Sequence, residues 1–144
     1  MTRADDQAAL GAWWRDRQAE REGILDANGI TAVWWQYSLA SDGIVQNEAE
    51  LDQAIKIILT TPYGSDPHRP TFASNVWNYV DYPVPRAAPN VVREAVLAIK
   101  RWEPRVDLLN VDVQPYCPSV EGLTVTAEWR VGGFESRTEV NVLH

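Results

Sequence analysis

Two stretches of the chain carry a helical hydrophobic period, and a run of period two follows them. Leu51, Ala54, Ile55 and Ile58 fall at i, i+3, i+4 and i+7, one apolar stripe of a helix. Asn47 with Glu50 three residues on has the form of a capping box, so this helix is predicted from about Glu48 to Leu59. Val92, Ala95, Val96 and Ile99 make the second stripe, with Pro89 placed to open it. Pro104 disfavours helical geometry at Glu103, so that helix must stop near Trp102. Beyond it, Leu109, Val111 and Val113 alternate with Asn110, Asp112 and Gln114. Leu123, Val125, Ala127, Trp129 and Val131 then alternate with Thr124, Thr126, Glu128 and Arg130. Gly132-Gly133 supplies a turn, and Val140 and Val142 complete the pattern. The expected class is α+β: two main helices packed on an antiparallel sheet of about three C-terminal strands.

The remaining segments read less regularly. Residues 5–22, with Leu10, Trp13, Trp14 and Arg17 at helical spacing and Asp5 or Asp6 as cap, predict an N-terminal helical arm. Ile30 to Leu39 reads as a strand, Ser41-Asp42-Gly43 as a turn, and Gly43 to Gln46 as a short return. Pro62, Gly64, Pro67 and Pro70 predict a loop without regular structure. Phe72 to Tyr82 suits a short helix or turn, and YPVPRAAP a linker. No internal repeat is visible.

Composition narrows the function. The 144 residues suit one domain with a real core, and a net charge of -7 argues against a nucleic-acid surface. Charge is uneven: Arg86 to Arg105 holds five basic and two acidic residues, whereas Asp107 to Glu128 holds four acids and no base. Such asymmetry is either ordinary surface variation or a means of orienting the chain against charged neighbours. Cys117 is alone and the imidazoles are only His68 and His144, so no metal or other cofactor is expected. No apolar run approaches the roughly 20 residues of a membrane span. The opening MTRADDQAAL lacks the apolar core of a secretion signal, so assembly in the cytoplasm is expected. Seven tryptophans include the adjacent pairs Trp13-Trp14 and Trp34-Trp35. Each pair either splits between core and half-buried positions or forms a contact surface.

The sharpest chemical question lies at Trp102-Glu103-Pro104-Arg105. A catalytic carboxylate used as a general acid needs an apolar pocket that holds its proton. An opposite charge two residues away stabilises the ionised form instead, the wrong direction for an acid. No second carboxylate stands at a recognisable spacing. A latch fits better, because an extended Pro104 lets Glu103 and Arg105 project to one side and pair. Such a pair either fixes a corner of the fold or docks into a neighbouring subunit.

These segments carry a resemblance. Ile58-Leu59-Thr60-Thr61, the loop glycine Gly64, then Arg69-Pro70-Thr71-Phe72, and finally Trp102-Glu103-Pro104-Arg105-Val106 resemble the gpW / gene-25-like family of phage baseplate wedge proteins. The likeness covers about residue 37 to the end, dividing the chain into an extension (1–36) and a wedge domain (37–144). There are departures: Gly64-Ser65-Asp66 stands where the family has Gly-Glu-Arg, and Ala73-Ser74 replaces a glycine after the phenylalanine. The resemblance implies a non-enzymatic structural subunit of a contractile tail, or of a related contractile injection system. It would sit in the virion tail baseplate and initiate the first sheath ring. The implied partners are other wedge proteins and the sheath subunit, with tube or hub proteins as further candidates and neither nucleic acid nor membrane. Trp102, Glu103, Pro104 and Arg105 would form the latch, Gly64, Arg69, Pro70 and Phe72 the loop contact. Glu139, Val140, Asn141 and Val142 would form the sheath-facing strand, unless the charges of Arg137 and Glu139 protect that edge. The rival readings are a lysozyme-like glycosidase and a cytoplasmic regulatory adaptor on the same fold.

Overall fold

The computed structural model describes residues 34–117 and 120–143; the predicted helix over 5–22 and the Trp13-Trp14 pair lie outside them. The chain divides between Glu50 and Leu51 into two compact units, each taken by itself below.

In the first unit, β1 (Trp35–Tyr37) and β2 (Ile44–Gln46) form an antiparallel hairpin with Trp35 opposite Gln46 and Tyr37 opposite Ile44. The turn is closed by the Ser38 hydroxyl, which accepts the N–H groups of Ala40 and Ser41 at 3.2 Å. Trp35 and Tyr37, two apart on one strand face, meet edge to face at 5.9 Å. Trp34 and Trp35 are 39% and 42% exposed, so neither ring of this pair is fully inward, as the packing reading requires of one. Asn47 adopts φ 54°, which asparagine tolerates, and its carbonyl accepts the Glu50 N–H at 3.1 Å. The bond linking the expected capping pair is therefore a backbone turn.

Helix α1 runs Glu48–Thr60, one residue past the predicted end, and buries Leu51, Ile55, Ile58 and Leu59. A loop follows from residue 61, pinned by a bridge between Pro62 and Ser74, and a 3-10 turn over Val76–Tyr79. Helix α2 spans Val84–Trp102, starting five residues before the expected Pro89. YPVPRAAP looks like a linker because of its prolines, yet the first helical turn needs no N–H there. Pro83 is the N-cap residue, and its carbonyl accepts from Arg86 and Ala87 at 2.8 and 2.9 Å. Pro89 lies inside the helix at the cost of one ladder bond. The buried stripe accordingly starts earlier, at Ala87 and Val91, and continues through Ala95, Ala98 and Ile99.

Three antiparallel strands, β3 (Asp107–Cys117), β4 (Val120–Val131) and β5 (Phe134–Leu143), lie in the order β3-β4-β5. Val131 and Phe134 are paired across the two-residue Gly132-Gly133 turn, with Gly132 at φ 58°. Val113, Leu123, Val125, Ala127, Trp129, Val140 and Val142 face the core in the predicted phase. The start of β3 does not. A register shift between Leu108 and Asn110 turns Leu109 outward, while Leu108 packs on the core. One extra residue in a strand reverses every side chain before it, which alternation alone does not reveal.

The sheet is tied to α1 by a polar chain through the core. The Trp129 indole N–H donates to the Thr138 hydroxyl at 2.8 Å, which donates to Asp52 Oδ1 at 2.7 Å. Lys56 Nζ lies 2.8 Å from the other Asp52 oxygen, so every member is partnered.

Candidate functional site

The junction where α2 gives way to β3 is set by Pro104. Glu103 leaves helical geometry at φ −129°, ψ 69°, while its N–H still reaches Ile99 O at 2.8 Å. Two residues on, Arg105 folds back with Nε 2.6 Å from Glu103 Oε1 and Nη2 2.7 Å from Oε2. This is a bidentate, charge-assisted pair within one chain. The Glu103 side chain is 5% exposed and that of Arg105 32%, so the carboxylate is buried and the guanidinium covers it.

Trp102 carries the junction to the loop. Its ring meets Phe72 edge to face at 5.1 Å and 70°. Arg101 lies 5.0 Å from the Trp102 centroid and Arg69 6.0 Å from that of Phe72. Two segments about thirty residues apart thus form one ladder, Arg69, Phe72, Trp102, Arg101. The Arg101 guanidinium also reaches the Thr71 hydroxyl at 3.5 Å. Beside the ladder, α2 and the loop enclose a cleft of about 260 Å³ lined by Tyr63, Leu97, Ala98, Arg101 and Trp102 among others. Sequence reading missed Arg101, Tyr63 and Leu97, since nothing in their spacing marks them as neighbours.

The loop depends on two left-handed residues. Gly64 has φ 80°, and a Cβ there would meet only Pro70 O at an unstrained 3.8 Å. Gly64→Ala is therefore expected to cost about 1–2 kcal/mol from backbone conformation alone, read as a lower denaturant midpoint at unchanged slope. Ala73, which stands where the resemblance calls for glycine, also adopts a positive φ, 79°, and is buried. The turn is thus kept at an alanine, and the residue is buried beside the cleft. Pro70 is exposed.

The third predicted group lies on β5. Val140 and Val142 are in the core, whereas Glu139 and Asn141 are exposed. The valine side chains are thus spent on folding, and what the strand offers outward is its backbone edge and the polar row.

Chemically the site holds little for catalysis. Both Glu103 oxygens are engaged by Arg105, and Glu94, the acid in the cleft, is held by Arg93 at 3.0 Å and Asn75 at 3.2 Å. Among the described residues no group of three or more His, Cys, Asp or Glu is placed to hold a metal ion.

A family model described as baseplate wedge protein gp25 matches residues 45–131, more than half of the chain. The chain belongs to this baseplate wedge family. The family is a structural component of baseplates. No curated protein matches the chain. Among solved structures, one from Geobacter sulfurreducens, provisionally named a tail lysozyme, is 26% identical with a TM-score of 0.61. It covers 69% of this chain and 96% of its own. A chain of the pyocin R2 baseplate in its post-contraction state is 29% identical, TM-score 0.52, over 73% of this chain and 97% of its own. A chain of the anti-feeding prophage baseplate shares the fold at 16% identity, TM-score 0.56, over 72% of this chain and 84% of its own. In this wedge protein the motif segments of the loop and the helix end meet at Phe72 and Trp102.

Proposed function

We propose that the protein is a wedge subunit of a contractile tail or related injection-system baseplate, joining other wedge proteins to the first sheath ring and starting sheath assembly. Family membership and the likeness to the pyocin R2 baseplate chain support the location. The observation that carries the sheath contact is an asymmetry between the two sheet edges. β5 pairs with β4 over its whole length without a register break, and its other edge has no partner among the described residues. The β3 edge is interrupted at Leu108/Asn110 and again at Pro115/Cys117, where proline cannot donate to a ladder. A regular edge accepts a partner strand through backbone hydrogen bonds; a broken one does not.

Wedge partners are assigned to the surface built by Trp102, the Glu103–Arg105 corner and the loop residues Gly64, Arg69, Pro70 and Phe72. We further assign residues 1–36 as an extension and 37–144 as the wedge domain; the family match itself begins at residue 45. The glycosidase reading, prompted by the name of the Geobacter protein, asks Glu103 or Glu94 to give up a proton. Each is instead held by an arginine of its own chain.

Electron microscopy of particles from cells lacking the gene, beside a complemented control, tests the proposal. Bare tubes or missing baseplates are expected. Normal contractile tails would overturn it and return attention to the enzyme, checked by peptidoglycan cleavage that vanishes in Glu103→Gln, or to a free cytoplasmic adaptor.

A further inference from the structure

The cleft between the loop and α2 has a chemistry of its own. Leu97, 58% exposed, and Tyr63, 48% exposed, stand at its mouth, which is unusual company for polar solvent on a helix otherwise patterned for one buried face. Its volume, about 260 Å³, is below the ~300–1,000 Å³ typical of small-molecule sites, and suits one or two side chains of a partner. Two cations stand at one end of it: Arg101 lines the cleft, and Arg69 lies against the other side of the Phe72–Trp102 ring pair. Neither cation has a carboxylate partner among the described residues, although the whole chain is acidic at -7. The one acid among the described lining residues, Glu94, is already held by Arg93 and Asn75.

We infer that this cleft is a docking site for an acidic segment of another baseplate protein, one apolar side chain seated between Tyr63 and Leu97 and its carboxylates on Arg69 and Arg101. Charge complementarity selects the occupant: two guanidiniums with no carboxylate partner among the described residues attract an acidic segment, whereas a basic segment or a second identical surface meets like charge. The rings hold both guanidiniums in place before binding, which lowers the ordering cost of the contact. The inference rests on the wedge reading and names the chemistry of the partner.

A photo-crosslinking phenylalanine at position 97 of the full chain, in cells assembling particles, reads the neighbour directly. Crosslinking to a Glu- or Asp-rich segment with an aliphatic or aromatic residue is expected. Crosslinking to a basic segment, to a second copy or to nucleic acid would overturn the inference, as would no crosslink in a chain that still enters baseplates. In parallel, Arg69→Gln with Arg101→Gln is expected to reduce incorporation into baseplates about tenfold, from the loss of two charge contacts. Leu97→Ala, at an exposed position that leaves folding alone, is expected to reduce it as well. Unchanged incorporation of both folded variants would sink the docking site while leaving the wedge assignment standing. Absence of the unsubstituted chain from baseplates would sink both.

Discussion

Arg105→Ala is expected to destabilise the protein by about 3 kcal/mol. Breaking a buried ion pair by removing one partner costs on the order of 3–5 kcal/mol, because the remaining charge loses its compensation. Here the stranded group is the Glu103 carboxylate, 5% exposed, with both oxygens given to one guanidinium at 2.6 and 2.7 Å. The lower end of the range applies because Arg105 is itself 32% exposed, and water can enter where it stood. Arg105→Lys keeps the charge and loses the fork, so it should fall between wild type and alanine. The paired replacement Glu103→Leu with Arg105→Met should cost less than Arg105→Ala alone, since no charge is then left buried. Urea unfolding of the four proteins checks this ordering. A loss below about 1 kcal/mol in Arg105→Ala would mean that the pair behaves as a surface bridge. Assembly adds a second readout: a variant that folds as wild type yet fails to enter baseplates would assign the corner to docking as well as to the fold.

Trp129→Ala should have the largest effect of any single truncation. The side chain is fully buried in the core cluster to which α1, α2 and the sheet all contribute, and Trp→Ala in a core costs about 3–5 kcal/mol in transfer and cavity terms. Its indole N–H also ends the chain to Thr138 and Asp52, so removal leaves the buried hydroxyl with one partner fewer. Against a total stability of about 5–15 kcal/mol, the variant should be barely folded at 25 °C. Thr138→Val isolates the polar part. It keeps the shape but leaves the indole N–H without its acceptor and Asp52 Oδ1 without the threonine donor, for an expected loss of about 1–3 kcal/mol. Trp129→Phe combined with Thr138→Val should lose less than the sum of the single changes, because both delete the same bond. Additive losses in that cycle would show that the bond contributes nothing beyond packing. Amide exchange of β5 should rise in Thr138→Val, since Thr138 is the point where that strand is tied to α1.

Local rules carried much of this structure. The stripe Leu51, Ile55, Ile58 fixed the buried face of α1, because a helix repeats its contacts every three to four residues whatever it packs on. Pro104 set the end of α2 at Trp102, since the constraint on the preceding residue is steric and needs no distant partner. The alternation from Leu123 to Trp129 gave the buried face of β4 in the right phase. That Glu103 and Arg105 pair was also readable, because two residues separate them and an extended backbone brings both to one side. The motif segments themselves were legible and pointed to the family that residues 45–131 match.

Tertiary structure decided the rest. The start of α2 was hidden because Pro83, Pro85 and Pro89 favour either a linker or a first helical turn, and the burial of Ala87 against the core selects the turn. The outward swing of Leu109 follows from pairing with β4, which no count along β3 contains. Ala73 keeps a glycine-like φ in a buried setting, which a local rule would refuse. Thr138 and Asp52 bond across 86 residues, and Phe72 meets Trp102 across a loop and a helix. Sequence period reports which side of an element is apolar. It carries no information on which two elements will face each other, and the cationic cleft exists only because the loop and α2 do.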